Sequence, residues 1–234
     1  MRVEIWSDIV CPWCYIGKRR FEAALAGFEH RDEVEVLWRA FELDARAPGV
    51  HQGDYVERLA QKYRVPVADA QGMIDQMTAA AAGEGLAFRF DIARPGNTFD
   101  AHRLLHLAAA GGKQDALKER FLAATFAEGE AIGDADTLVR LAAEAGVDAG
   151  EARAVLASGA YADAVRADVA RARAYDITGV PFFVVDETYG ISGAQPPHVL
   201  RTVLERAWDD THGPALVLAG EGEAPGCDGD TCAV

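Results

Sequence analysis

The chain has 234 residues, half of them hydrophobic, 26% charged and 9% aromatic, which is ample material for a packed core and excludes disordered, collagen-like and disulfide-stapled classes. Its 37 acidic and 23 basic side chains leave a net charge of −14, so phosphate backbones and anionic lipid are repelled and neither nucleic acid nor membrane is an expected partner. Four cysteines in a chain of this length are too few for a disulfide scaffold and point to redox or metal chemistry.

Residues 2–8 alternate Val3 and Ile5 with polar neighbours, the period of a strand. Glu4 and Asp8 interrupt any signal-like apolar stretch there, and no window approaches the roughly 20 apolar residues that span a bilayer. The expected location is the cytoplasm. Next come Cys11, Pro12, Trp13 and Cys14, then Phe21, Leu25 and Phe28 at helical spacing. Pro12 suits a first helical turn, so the cysteine pair is expected at a strand-to-helix junction with Cys11 at the helix N-terminus.

A second strand is expected over 33–41, with Val34, Val36 and Trp38 on one face, closed by Pro48 and Gly49. From 52 to 176 the pattern is helical, with a break at 86–97 and turn signals at Gly111-Gly112, Gly133-Asp134 and Gly146. Two helices are expected between Tyr55 and Ala82, the second opening at Pro66. Asn97 reads as the N-cap of the next, with Asp100 completing a capping arrangement. Leu117, Phe121 and Thr125 form one stripe and Leu138, Leu141 and Ala145 another, both read as core. After Asp176 the segments FFVVD and YGISG read as a hairpin, followed by a helix from Pro197 to about Asp210. Residues 213–234 are rich in Gly, Pro and acid, end in CDGDTCAV and read as a flexible tail.

A strand, a C-x-x-C on a helix start, a second strand and a hairpin preceded by Val-Pro is the order of a thioredoxin fold. The sequence resembles the DsbA family, particularly its FrnE-like branch of predicted dithiol-disulfide isomerases. The likeness is carried by SDIVCPWCYIGKRRFE, NTFDAHRLLHLA and ITGVPFFVVDETYGISGAQP and spans residues 1–211. The implied fold is α/β, a thioredoxin fold with a large inserted helical domain. A discontinuous thioredoxin-like domain would take 1–48 and 160–212, the helical insertion 49–159 and the tail 213–234.

The resemblance also implies roles. Cys11 would be the attacking thiol, its thiolate stabilised by the helix N-terminus and its pKa lowered. Cys14 would be the buried resolving thiol, and Pro12 and Trp13 would tune the redox poise. Val180-Pro181 would be the cis-proline loop facing the disulfide, with the Val180 backbone free to pair with substrate. Related oxidoreductases carry a buried acid on the first strand where this chain has Ile5. Glu4 and Asp8 flank it, and Asp8 reads equally well as a proton acceptor or as a solvated strand end. Asn97, Thr98 and His102 match a block near the cleft of relatives that use glutathione or aromatic substrates, so Asn97 and His102 are candidate ligand contacts. An N-cap and a core histidine are the structural alternatives.

Cys227 and Cys232 lie in a segment with no packing reason for two thiols. FrnE-like proteins can carry such a pair, which implies an accessory redox couple; the plain alternative is two exposed thiols. Expected partners are proteins or small molecules bearing disulfides or dithiols, with glutathione or a thioredoxin-type reductant, acting on a monomer or homodimer. No cofactor or metal is expected. Two rival classes stand beside the oxidoreductase: a glutathione-dependent isomerase or transferase of the 2-hydroxychromene-2-carboxylate isomerase type, and a zinc-binding or holdase module using the two cysteine pairs.

Overall fold

The computed structural model describes residues 1–213, 227–228 and 231–232. Strand β1 (Arg2–Ser7) is central in a four-stranded sheet. It pairs in parallel with β2 (Glu35–Ala40) and antiparallel with β3 (Phe182–Val185), which in turn pairs with β4 (Tyr189–Ser192). A parallel pair needs a crossover, and helix α1 (Pro12–Ala26) supplies it.

Period-two alternation sends Val3 and Ile5 to one face, where they meet Phe21 and Phe28 of the crossover and Leu200 and Leu204 of the C-terminal helix (Pro197–His212). Phe21 stacks on Phe183 of β3 with ring centroids 5.5 Å apart. Each such buried side chain contributes about 1.5–3 kcal/mol. Trp6, on the opposite face, packs with Ala172, Ile177 and Val184. The charged residue on that face, Glu4, is buried and held by Arg39 at 2.7 Å and Arg171 at 2.8 Å.

Between β2 and β3 the chain is helical: α2 (Tyr55–Tyr63), α3 (Val67–Gly83), α4 (Phe99–Ala110), α5 (Gln114–Ala123) with a π turn over 124–128, α6 (Ala135–Glu144), α7 (Ala149–Leu156) and α8 (Ala162–Ala174). With the C-terminal helix as α9, this is the α/β thioredoxin fold with a helical insertion. The insertion core joins Leu104, Leu117, Phe121, Leu138 and Leu141, and Ile9 from the β1–α1 connection is buried among them. A second cluster packs Tyr15 and Ile16 of α1 against Ile74, Phe88 and Phe126. The connection carrying Cys11 is therefore anchored on both sides by the insertion.

Two local expectations are corrected. Helix α4 starts at Phe99 with Thr98 as its cap residue, while Asn97 accepts from the Phe99 N–H at 3.0 Å from one position further out. Asp100 pairs with Arg103 at 2.8 Å instead of closing a capping box. The sequence reading places no turn signal at the break between α7 and α8, which spans residues 157–161. There Tyr161 adopts a left-handed φ of 60°, and the buried Arg103 of α4 donates to the Val155, Ser158 and Ala160 carbonyls that end α7. A long-range side chain thus joins the local Ser158 N–H and hydroxyl, which also donate to the Val155 carbonyl, in satisfying the end of α7.

Near the C-terminus, Cys227–Asp228 (β5) pairs antiparallel with Thr231–Cys232 (β6). The rest of the expected tail after Gly213, and the side chains of Cys227 and Cys232 with their accessory role, lie outside the described residues.

Candidate active site

Cys11 closes the β1–α1 connection as the cap residue of α1, in extended conformation (φ −98°, ψ 110°), and Pro12 takes the first helical position. The side chain makes no capping hydrogen bond at the helix start. Its thiol donates instead to the Val180 carbonyl at 3.5 Å. The Val180-Pro181 peptide is cis, and Pro181 is buried while Val180 and Trp13 keep partial exposure. Cys11 is 5% exposed; Cys14, one turn into the helix, is 0% exposed. Both are free thiols.

The two sulfurs control one another's protons. Hydrogen bonding with Cys14, then burial, push the Cys11 thiol well above its ordinary value. Burial also opposes a Cys14 thiolate, but the hydrogen bond from Cys11, the charge of Lys118 and the Ser7 hydroxyl together bring that thiol below its ordinary value. The sequence expects the lowered thiol at Cys11. In the structure the Cys14 N–H at the helix start does act to lower the Cys11 thiol, but the hydrogen bond with the Cys14 side chain and burial outweigh it, and the dithiol monoanion is best supported at its Cys14 end.

Asp8 is fully buried, so its reading as a solvated strand end is overturned. Its carboxylate accepts from the Ile9 N–H at 2.7 Å and the Leu43 N–H at 2.8 Å. His102 Nε2 approaches Asp8 Oδ1 at 3.3 Å and the Phe41 carbonyl at 3.1 Å. Both are acceptors, so that nitrogen carries the proton. Burial alone would raise the Asp8 carboxyl; the hydrogen bond and attraction of His102, with the Leu43 N–H, outweigh it and hold the group below the usual range. Glu4 is committed to Arg39 and Arg171 on the α8 side of the sheet.

His102 and Asn97 thus do structural work: the imidazole ties α4 to the active-site connection, and the Asn97 amide spans Phe99 N–H and the Ala45 carbonyl. Beside them opens a cavity of about 500 Å³, lined among others by Asp8, Val10, Thr98, His51, Tyr55 and Arg58. Val10 adjoins Cys11. Burial, and to a lesser degree the Cys11 charge, push the Tyr55 phenol up to about 12. The Arg58 guanidinium lies 5.2 Å over the Tyr55 ring, and its neighbour Asp54 spends its carboxylate capping α2 through Val56 and Glu57 N–H. Sequence reasoning missed Arg58 and Tyr55, which form this wall only through the loop before α2, and it missed the buried Lys118 of α5.

A family model for the DSBA-like thioredoxin domain matches residues 2–205. The chain belongs to this family. Within reach of this DsbA-like chain is a solved probable DsbA oxidoreductase from Streptomyces coelicolor, 49% identical over 100% of this chain and 99% of its own, with a TM-score of 0.86. The uncharacterised protein YwbO of Bacillus subtilis is 32% identical over 212 residues, 90% of this chain and 96% of its own. The cytosolic disulfide reductase DsbM of Pseudomonas aeruginosa, solved with GSH, is 20% identical over 88% of this chain and 98% of its own, with a TM-score of 0.60, and shares the fold. Among the described residues no helix is long and apolar enough to cross a membrane, and no group of three or more His, Cys, Asp or Glu side chains is arranged to hold a metal ion.

Proposed function

We propose that this DsbA-like chain is a cytoplasmic dithiol-disulfide oxidoreductase of the FrnE-like kind, with Cys11 as nucleophile and Cys14 as resolving thiol. The observation that carries the reading is the stacking of the two sulfurs: Cys11 retains access from outside beside Val180-Pro181, and Cys14 is closed beneath it. In the monoanion one proton is held between the sulfurs. Passing it from Cys11 to Cys14 frees the outer thiolate, which attacks a substrate disulfide, forms the mixed disulfide and expels one substrate thiolate. Cys14, once deprotonated, then attacks the Cys11 sulfur, closes the Cys11–Cys14 disulfide and releases the second thiolate. The dithiol is oxidised by two electrons and the substrate is reduced by two. When a second substrate thiol resolves the adduct instead, the outcome is isomerisation without net redox change.

The cavity beside Cys11 suggests the substrate class. A half-buried guanidinium in a protein of charge −14 favours a carboxylate, so the reading extends to small carboxylate-bearing disulfides and thiols such as glutathione, as substrate or recycling reductant. An isomerase that relies on an external thiol leaves the buried Cys14 without work.

The test compares wild type, Cys11→Ser and Cys14→Ser in reduction of insulin by a thiol donor. Cys11→Ser should be inactive, and Cys14→Ser should accumulate thiol-labile adducts on non-reducing gels. Equal rates for wild type and Cys11→Ser would refute the assignment.

A further inference from the structure

Lys18, Arg19 and Arg20 put three cations on successive residues of α1 just past the dithiol, and helical spacing sends them to different sides. Two are spent on carboxylates: Lys18 on Glu22, Asp115 and Glu119, and Arg19 on Glu22 and Glu119. Arg20 turns the other way. Its Nε donates to Glu84 Oε1 at 2.6 Å, and its Nη1 donates to the Ala194 carbonyl at 2.6 Å. The side chains of Arg20 and Glu84 are each 21% exposed, so the pair is held largely out of water. The guanidinium is a planar fork with its donors at fixed angles, and two acceptors on different elements fix its place.

Each acceptor belongs to a segment that borders the site. Glu84 is the C-terminal cap residue of α3, which packs with the cavity-lining α2. Ala194 lies in the turn between β4 and α9, next to Gly193, whose N–H donates to the Pro181 carbonyl at 2.8 Å. Gly17, three residues before Arg20 and on the same helix face, lies against the Pro181 ring and the Ala194 methyl. A planar peptide joins the Val180 carbonyl to the Pro181 nitrogen, so the carbonyl goes where the ring goes. That carbonyl accepts from the Cys11 thiol at 3.5 Å. A continuous path therefore runs from Glu84 through Arg20, the Gly193-Ala194 turn and Pro181 to the attacking sulfur.

We propose that Arg20 is a positioning residue for the dithiol, pinning the β4–α9 turn so that the Val180 carbonyl stays within reach of the Cys11 sulfur, an inference that rests on the dithiol reading above. The contact has a chemical consequence. A carbonyl oxygen accepts from a thiol but repels a thiolate, so its presence keeps the proton on Cys11 and its withdrawal lets the proton go. Removing the Arg20 charge acts in the opposite sense, because a lost cation disfavours a thiolate. Geometry and charge thus predict shifts of opposite sign. The other titratable groups felt at Cys11 are Cys14 and Asp8 on its own segment, Tyr55 of α2 and Lys118 of α5, and none of them is altered by substitution of Arg20.

Iodoacetamide alkylation of the reduced full-length protein across pH, followed on the Cys11 peptide by mass spectrometry, measures this ionisation apart from the other cysteines. Arg20→Met should move the Cys11 profile to lower pH by about 0.4–1 unit, roughly 2.5- to 10-fold faster alkylation below the inflection, the worth of one neutral hydrogen bond. Arg20→Lys keeps the charge but lacks the second arm that reaches Ala194 while the first holds Glu84, and should move the profile down as well. Arg120→Met removes a comparably buried guanidinium, paired with Glu128 and Glu144, and should lower the melting temperature without moving the Cys11 profile down. An unmoved or raised profile in folded Arg20→Met, a wild-type profile in Arg20→Lys, or an equal fall in Arg120→Met would overturn the proposal. If Arg20→Met does not fold, Arg20→Lys decides alone. A wild-type Cys11 that is never alkylated would instead overturn the dithiol reading.

Discussion

Gly17 of α1 faces the ring of Pro181 so closely that a Cβ at position 17 would stand 2.8 Å from the proline Cγ. The two elements that bracket the dithiol, the first turns of α1 and the loop before β3, are thus in contact without room for one further methyl. Pro181 Cβ at 3.4 Å and Ala194 Cβ at 3.6 Å close the other sides.

Gly17→Ala should therefore move the Pro181 loop away from Cys11. Overpacking of this kind costs about 1–3 kcal/mol, against the gain of up to about 1 kcal/mol that alanine brings to a helix interior. The expected result is a lower melting temperature and slower insulin reduction. Gly72→Ala in α3, where a Cβ would meet nothing within 4 Å, should instead raise the melting temperature and leave turnover alone. A Gly17→Ala protein as stable and active as wild type would show that the loop yields freely.

Much of this architecture was legible in the sequence, because local rules decide it. Pro12 after Cys11 fixes a helix start, the alternation of Val3 and Ile5 fixes a strand, and the turn between FFVVD and YGISG fixes a hairpin. What stayed illegible were the charges whose partners are remote in the chain. Asp8 stays open between a proton acceptor and a solvated strand end until the Leu43 N–H and His102 close over it, and nothing local to Arg103 shows that it reaches the carbonyls at the end of α7 from another helix. Lys118 did leave a trace: it follows Gln114 by four residues and precedes Phe121 by three, positions on the buried face of α5.

The Asp8–His102 contact makes a pH prediction with a definite sign. A carboxyl whose folded pKa is depressed contributes stability that is fully present above its unfolded value of about 3.9 and disappears as pH falls through the folded value. Asp8→Asn should cost about 1.5–3 kcal/mol at neutral pH, the range for hydrogen bonds to a charged group. The gap between variant and wild type should then narrow below pH ~3.9. Urea denaturation at a series of pH values measures this; a gap that stays constant through the acid range would mean that the carboxylate charge contributes nothing.

Arg58 gives the most direct access to substrate choice. Its guanidinium is lowered by burial, which means that it is kept partly from water on the wall of the cavity beside Cys11. His51 on the same wall is lowered as well, first by burial and then by Arg58 itself, so at neutral pH it adds no charge that could substitute. A carboxylate of an entering disulfide would recover for Arg58 the ionic partner that Asp54, occupied at the start of α2, does not supply. Such a charge-assisted bond is worth about 1.5–3 kcal/mol, roughly a 10- to 150-fold change in affinity. Arg58→Met should accordingly raise KM for oxidised glutathione by about that factor, with little change in kcat because the sulfurs are untouched. The tetraethyl ester of the same disulfide, in which all four carboxylates are blocked, should bind wild type and variant alike. If both forms lose affinity equally, Arg58 shapes the cavity without reading charge; if neither does, the carboxylate is held elsewhere.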